Sequence, residues 1–518
     1  MKNAAFRDVP DQIEGIGKVK HFKGAFAYPP EGQIIGKSIR MGLPGVSKVR
    51  ASLEEAIEAC GLKDGMRISF HHHFRNGEGV IKQVLEIASK RGIKDLTLVP
   101  SSLSDCHDFL IDYIEAGLVT GIETSGMRGK LGAFLTKNPG KLKKPLIIRS
   151  HGGRARAIEC GDSRIDVAFL GVPAADRFGN ANGIDGPTPC GALGYAMVDA
   201  QYADQVVLLT NHLVEGSLFP YSIPQTQVDH IVPVESIGDP EGIGFGALRM
   251  TRDPIQLFLA KQASEVFVRS PYFKPGFSVQ MGGGGASMAV QRFVKEEMIK
   301  REMKASFGIG GATIMFLTMM KEGFLEAFYD TQTFDIQSAQ FMKENSNHIE
   351  ISASHYANPH HAGPIVNDLD VVFLAATEVD LNFNVNVITN SNGLLMGASG
   401  GHSDTAAGAK LTIIVVPLIR GRLPMIRDHV QNVVTPGESI DVVVTDYGIA
   451  INPRRKDLLD HFKNSGLNLK TLEELQAIAH KKVGKPESVP LTEKIIGVIE
   501  YRDGSIIDAI YAPGKSKY

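Results

Sequence analysis

Four short runs in this chain carry residues whose types and spacing could do chemistry. The first, His71-His72-His73-Phe74-Arg75-Asn76-Gly77-Glu78-Gly79, sets three imidazoles and a guanidinium among glycines. The second, Gly282-Gly283-Gly284-Gly285, follows Met281 and runs into a helical pattern. Glycines ahead of a helix let backbone N–H groups come close to a phosphate or an oxyanion. Gly308-Ile309-Gly310-Gly311 is the third. The fourth starts at Thr389-Asn390-Ser391-Asn392-Gly393 and passes through Gly397, Gly400 and Gly401 to His402-Ser403-Asp404. A basic segment, Arg149 to Arg156 with His151, Gly152, Gly153 and Arg154, follows an apolar run. Guanidinium forks match carboxylates bidentately. The segment is either a site for a multiply charged carboxylate or a solvated turn, and both readings stay open.

Other chemistries fit less well. The G-x-x-x-x-G-K-[ST] phosphate loop does not occur, nor does G-x-G-x-x-G with its downstream acid, so nucleotide hydrolysis and hydride transfer lose ground. His402, Ser403 and Asp404 are adjacent in the chain and cannot converge as a nucleophile, base and orienter must. His71 and His73 would face one side of a strand, but with no third ligand in view a polar strand end or an anion contact is expected rather than a metal. Cys60, Cys106, Cys160 and Cys190 form no C-x-x-C pair, which points to reduced thiols and a cytoplasmic protein. A formal charge of −2 gives no reason to expect nucleic acid or a membrane surface as partner. The amino terminus lacks the apolar stretch of a secretory signal, and the apolar runs are strand-sized.

The elements that position these loops come from one unit used twice. Ile165-Asp166-Val167-Ala168-Phe169-Leu170 reappears as Leu369-Asp370-Val371-Val372-Phe373-Leu374, 204 residues later. Asp176, Asn180 and Asn182 answer Asp380, Asn384 and Asn386 in the same register, and Asp199 answers Asp404. Upstream, Gly65 to Phe70 answers Gly276 to Met281. Val80, Ile81, Val84, Leu85 and Ala88 form one stripe at helical spacing. Short apolar strands alternating with amphipathic helices predict two tandem, open, mostly parallel α/β sheets with flanking helices, and a site between the halves. The expected division is 1–235 for the first domain and 236–518 for the second, with 233–275 as the join and the terminal helix and hairpin counted with the second. Ser52 with Glu55, and Thr471 with Glu474, read as capping boxes. Asp503-Gly504 reads as a hairpin turn.

Ser391-Asn392-Gly393, the glycines Gly397 to Gly401, Asp404, and Val443-Val444-Thr445-Asp446-Tyr447-Gly448-Ile449-Ala450 resemble the CoA-transferase superfamily. More closely, the His71 loop, the run Ser150 to Asp162 and the segment at Asn392 are similar to the α subunits of bacterial citrate lyases, over nearly the full length. The resemblance implies transfer of an acyl-carrier thiol from an acetyl thioester to citrate. It implies partners too: a β subunit, and a γ subunit that is an acyl carrier protein with a phosphopantetheine-type arm, assembled into an oligomeric complex. CoA would serve as surrogate, and no cofactor would be bound in this chain. Many CoA transferases use a glutamate nucleophile, whose place falls here to Thr389 or Ser391. No Asp or Glu occurs from Leu381 to Ser403, so direct attack by a citrate carboxylate, through a mixed anhydride, is expected. In that scheme Asn392, Gly393, Ser391, Gly400 and Gly401 form the thioester loop. Arg75, Arg149, Arg154, His72 and Gly282 to Gly285 bind substrate. Rival readings are a transferase or thioester hydrolase using Asp185 or Glu78, and a ligand-binding scaffold without catalysis.

Overall fold

The computed structural model describes residues 2–27, 46–244 and 251–514. Seven strands of the first half are β1 (Arg67–Phe70), β2 (Leu96–Pro100), β3 (Val119–Thr124), β4 (Leu146–Arg149), β5 (Val167–Gly171), β6 (Gln205–Thr210) and β7 (His230–Pro233). They pair in parallel in the order β4-β3-β2-β1-β5-β6-β7. The second half has β8 (Val279–Met281), β9 (Ala305–Gly310), β10 (Leu325–Asp330), β11 (His348–Glu350), β12 (Val371–Ala375), β13 (Leu411–Val415) and β14 (Val442–Thr445). Their order, β11-β10-β9-β8-β12-β13-β14, repeats the first strand for strand, with an antiparallel β15 (Gly448–Ile451) at the far edge. Continuous apolar runs such as Val206 to Leu209 and Ile413 to Val415 are buried on both faces, as parallel strands covered by helices require.

The repeat extends to side chains. Asp176 accepts the N–H groups of Phe178, Gly179 and Asn180 and the amide of Asn180. Asp380 accepts those of Asn382 and Asn384 and the amide of Asn384. The helices used below are α1 (Val80–Lys90), α2 (His151–Glu159), α3 (Gly194–Tyr202), α4 (Gly285–Lys300), α5 (Ala353–Ala357) and α6 (His402–Gly408). In α1 the expected stripe of Val80, Ile81, Val84, Leu85 and Ala88 is buried. The Thr471 box is reciprocal, whereas Glu55 turns to the N–H of Ala51 and leaves the Ser52 box half formed.

The chain ends depart from the expected division. The hairpin β16 (Leu491–Glu500) and β17 (Ile506–Pro513) adds to the first sheet, with β16 parallel to β4 from Gly497↔Leu146 to Glu500↔Arg149. It closes an edge of β4 that would otherwise be open. Chain order carries no information about that pairing, so assigning the hairpin to the second half is corrected here.

The carboxyl ends of the two sheets face each other. Gln332, after β10, donates to the carbonyl of His72, after β1, at 2.8 Å. His151 N–H donates to Gly400 at 2.9 Å, and Ala192 N–H to Thr333 Oγ1 at 3.0 Å. Gly126 bridges to Ala398; a Cβ there would lie 2.2 Å from the Ala398 Cα, so only glycine allows this approach. Among the described residues no helix is long and apolar enough to cross a membrane.

Candidate active site between the two sheets

β1 delivers the histidine run to the crevice. It breaks into a 3₁₀ turn at Arg75–Gly77, and Arg75 sits at φ 52°, a left-handed conformation that costs a side-chain-bearing residue about 1–2 kcal/mol. The turn is held from behind: Ser104 Oγ donates to the Arg75 carbonyl at 3.1 Å, and Cys106 N–H to Asn76 Oδ1 at 3.2 Å. The Arg75 guanidinium lies 5.1 Å from the ring centre of Phe334, a residue of the second half. Among the described residues no carboxylate pairs with Arg75 or with Arg128. Burial, then the neighbouring Arg128 charge, push the Arg75 pKa down to about 10. Arg75 is half-buried and Arg128 exposed.

The imidazoles beside them are uncharged. Burial lowers His71 and His151 to about 3 and holds His72 and His73 well below the usual range. Tyr195, from α3, stacks on His72 and His73 at 5.0 and 5.3 Å and packs at a tilt against His151 at 4.6 Å. His71 and His73 are buried with their Nδ1 atoms in contact, while His72 and His151 are half-buried at the crevice. Among the described residues no group of three His, Cys, Asp or Glu could hold a metal ion.

Two of the expected carboxylate clamps are engaged elsewhere. Arg149 is buried between Glu500, which takes Nε and Nη2 at 2.8 and 3.0 Å, and Glu123. Arg154 is held bidentately by Asp199 at 2.7 and 2.9 Å and also donates to Val99 O. α2 is buried on every side from Gly152 to Ile158, so its cations need internal partners. The basic segment is neither a solvated turn nor a free clamp. Of the expected cations, Arg75 is the one the fold leaves unpaired.

The glycine loops divide similarly. Gly282 to Gly285 end β8 and start α4; Gly282 N–H is taken by Phe373 O at 2.7 Å, and Gly284 sits at φ 142° as the N-cap. Gly400 faces the ring of His151, and a Cβ on Gly401 would meet the Tyr356 hydroxyl at 2.3 Å. Asn392 is exposed and Gly393 buried. Thr389 is buried and bonded to Asn386 at 2.9 Å. Ser391 donates to Glu378 Oε1 at 3.1 Å. Glu378 is the carboxylate that a search of 381–403 passes over, because the fold returns it from thirteen residues upstream. It is buried and also accepts from Asn386 and from Gln431 N–H. Glu78 caps α1 through Val80 N–H and meets His107 at 3.2 Å. Asp185 bonds Asn182 and Lys343. His402, Ser403 and Asp404 diverge: His402 meets Thr435 and Ala375 O, and Asp404 meets Ser150 and Gly152 N–H.

Sequence reading missed Arg128, Tyr195, Gln332 and Ser101. Gly126 and Gly129 flanking Arg128 just past a strand were the one available signal. A pocket of about 470 Å³ lined by Gln12, Leu135, Lys143, Glu493 and Lys494 reaches the fourth loop only at Leu395.

Comparison with known proteins bears on what the crevice handles. The family model for the citrate lyase alpha subunit (CitF) matches residues 46–512. The citrate lyase alpha chain of Klebsiella pneumoniae is 50% identical over 463 residues, 89% of this chain and 91% of that one. A solved structure from Streptococcus mutans, described as the alpha subunit of citrate lyase in complex with citrate, is 48% identical with a TM-score of 0.95, covering 99% of this chain and 100% of that one. A 4-hydroxybutyrate CoA-transferase from Porphyromonas gingivalis, 16% identical with a TM-score of 0.54 over 84% of this chain and 97% of its own, shares the fold.

Proposed function

The chain belongs to the citrate lyase alpha subunit family, the transferase component of citrate lyase, and from that premise we propose that it moves the acyl-carrier thiol from an acetyl thioester to citrate by direct carboxylate attack. The observation that carries the reading is the unpaired pair Arg75 and Arg128 beside uncharged imidazoles. Citrate brings three carboxylates, and guanidinium forks suit them. One carboxylate oxygen adds to the thioester carbonyl carbon. Collapse breaks the C–S bond and gives a mixed acetyl–citryl anhydride and a thiolate. The thiolate adds to the citryl carbonyl and acetate leaves. Keeping the thiolate in place favours its recapture, since intramolecular positioning can be worth about 7–11 kcal/mol of barrier. Backbone N–H groups of Gly283 to Gly285 and of Gly400 and Gly401 are candidates for the oxyanions.

The thioester comes on the phosphopantetheine-type arm of a γ-subunit acyl carrier protein, with CoA as surrogate, and a β subunit cleaves the citryl thioester. The engagement of Glu78, Asp185 and Glu378 by internal donors supports a route without an enzyme-bound acyl group. Direct attack needs both substrates bound together. Initial rates with acetyl-CoA and citrate should therefore give citryl-CoA with intersecting reciprocal lines. Parallel lines, or a hydroxylamine-trapped adduct with acetyl-CoA alone, would mean ping-pong turnover and put Glu378 forward as the nucleophile.

A further inference from the structure

His72 stands between two buried histidines and is itself half-buried at the crevice. Its place is fixed from three sides. Gln332 Nε2 donates to its carbonyl at 2.8 Å, Tyr195 stacks on its ring at 5.0 Å, and Ser101 holds it twice. The His72 backbone N–H donates to Ser101 Oγ at 3.0 Å, and the same Oγ lies 2.6 Å from His72 Nδ1. Ser101 is fully buried, and these two contacts to His72 are the bonds its hydroxyl makes among the described residues. A serine hydroxyl has one proton to give. The backbone N–H already supplies a proton to Oγ. The hydroxyl proton then has one acceptor in reach, the Nδ1 lone pair. When the hydroxyl proton goes there, Nδ1 is the acceptor and the ring proton is on Nε2.

We propose that Ser101 is a positioning residue that locks His72 in the Nε2–H tautomer, and that this N–H donates to the oxyanion formed when a citrate carboxylate adds to the thioester carbonyl. The assignment of the oxyanion rests on the transferase reading above; the tautomer does not. The step balances without a proton. The addition forms one C–O bond and moves the carbonyl π pair onto oxygen, and the collapse restores the carbonyl and expels the thiolate with the C–S pair. A step that transfers no proton is served by a fixed donor, not by an acid. An uncharged imidazole with its other nitrogen tied to a hydroxyl is such a donor, and burial keeps it uncharged across the neutral range.

The test uses the full chain and two independent readouts. With ¹⁵N-labelled histidine, and the His72 signals assigned by loss in His72→Gln, the native protein should show a protonated Nε2 and an unprotonated Nδ1. Ser101→Ala should mix the tautomers, lower kcat with acetyl-CoA and citrate by about ten- to a hundred-fold, and leave the citrate KM within about three-fold; loss of one oxyanion donor costs about 10²–10³ in kcat. Ser101→Thr should restore both tautomer and rate. His72→Gln, which keeps an N–H donor, should retain more activity than His72→Ala. A proton on Nδ1 in the native protein overturns the lock, and so does a Ser101→Ala protein that keeps the native tautomer unmixed. If the tautomer is as stated and Ser101→Ala mixes it without a fall in kcat, the donor role falls while the lock stands. Absence of citryl-CoA from the native enzyme would instead strike the transferase reading. Should Ser101→Ala fail to fold, the Thr variant and the Gln/Ala pair at His72 decide: equal activities in the pair overturn the donor.

Discussion

Arg149 and Glu350 occupy one position in two sheets. Each ends the fourth strand of its half, β4 and β11; Arg149 is buried and Glu350 half-buried. Arg149 is neutralised inside its own sheet by Glu123 and by Glu500 on the added hairpin. Glu350 meets no cation at hydrogen-bond distance among the described residues. It accepts Leu193 N–H at 2.6 Å and Ser222 Oγ–H at 2.8 Å, both from the first half. The same contrast holds at Asp199 and Asp404. Asp199 binds Arg154 of its own half, while Asp404 reaches across to Ser150 and Gly152. At these two positions the first half settles its charge internally. There the second directs its carboxylate, Glu350 or Asp404, across the contact that makes the crevice. Duplication preserved the strands; the residues at their carboxyl ends diverged in what they bind.

Breaking the internal side of this contrast should cost most. Glu500→Ala removes a partner from Arg149 and from Arg156 at once. Removing one partner of a buried pair typically costs about 3–5 kcal/mol. The urea midpoint should fall accordingly, and the citrate KM of the folded fraction should change little. A loss below about 1 kcal/mol would show that Glu123 and Asp162 suffice for the two cations, and the contrast with Glu350 would weaken.

The crossing side should respond to pH. Burial raises Glu350 to about 7, against the pull of the Leu193 and Ser222 donors. For an acid raised in the fold, the folded state holds more protons than the unfolded one between its ordinary value near 4.5 and about 7. Stability then falls as pH rises through that window and levels off above it. The loss is at most about 3 kcal/mol. Glu350→Gln has no charge to desolvate, so between pH 5 and 7.5 its urea midpoint should decline less than the native one. Equal slopes would mean that Glu350 ionises without penalty and that the halves are not pH-coupled there.

Much of the fold was legible because repetition is a one-dimensional signal. The spacing of Asp176, Asn180 and Asn182 against Asp380, Asn384 and Asn386 gave both halves and their register. Offset counting also held a clue to Glu378, since its first-half counterpart is Ala174. What stayed hidden was non-local. The hairpin completes a sheet whose other strands all lie more than 250 residues upstream, and no local pattern encodes that pairing. Arg149, Arg154 and Arg156 looked available because their partners Glu123, Asp199 and Glu500 are remote in sequence. A charged residue in a glycine-bearing loop has the same local signature whether it faces a ligand or a buried carboxylate. Arg75 was legible as a candidate, but its distinction from Arg149 was not.

That distinction gives the smallest expected energy and the sharpest test. Arg75 holds a left-handed backbone, φ 52°, where glycine would rest without strain. Strain of this kind persists where the side chain has a task. Replacing Arg75 by glycine removes the cation and the strain together. If the guanidinium binds a substrate carboxylate, the citrate KM should rise about ten-fold or more, equivalent to about 1.4 kcal/mol, while the KM for acetyl-CoA moves far less. Thermal stability should hold or increase. Arg75→Ala should show the same KM with lower stability, because alanine keeps the strain. Arg75→Lys should fall between native and alanine in KM, since a point charge replaces the fork. Arg154→Ala should do the opposite, losing stability by stranding Asp199 with little selective effect on citrate. Were Arg75→Gly to bind citrate as the native protein does, the unpaired guanidinium would have no part in the site, and Arg128 alone would be left to meet the carboxylates.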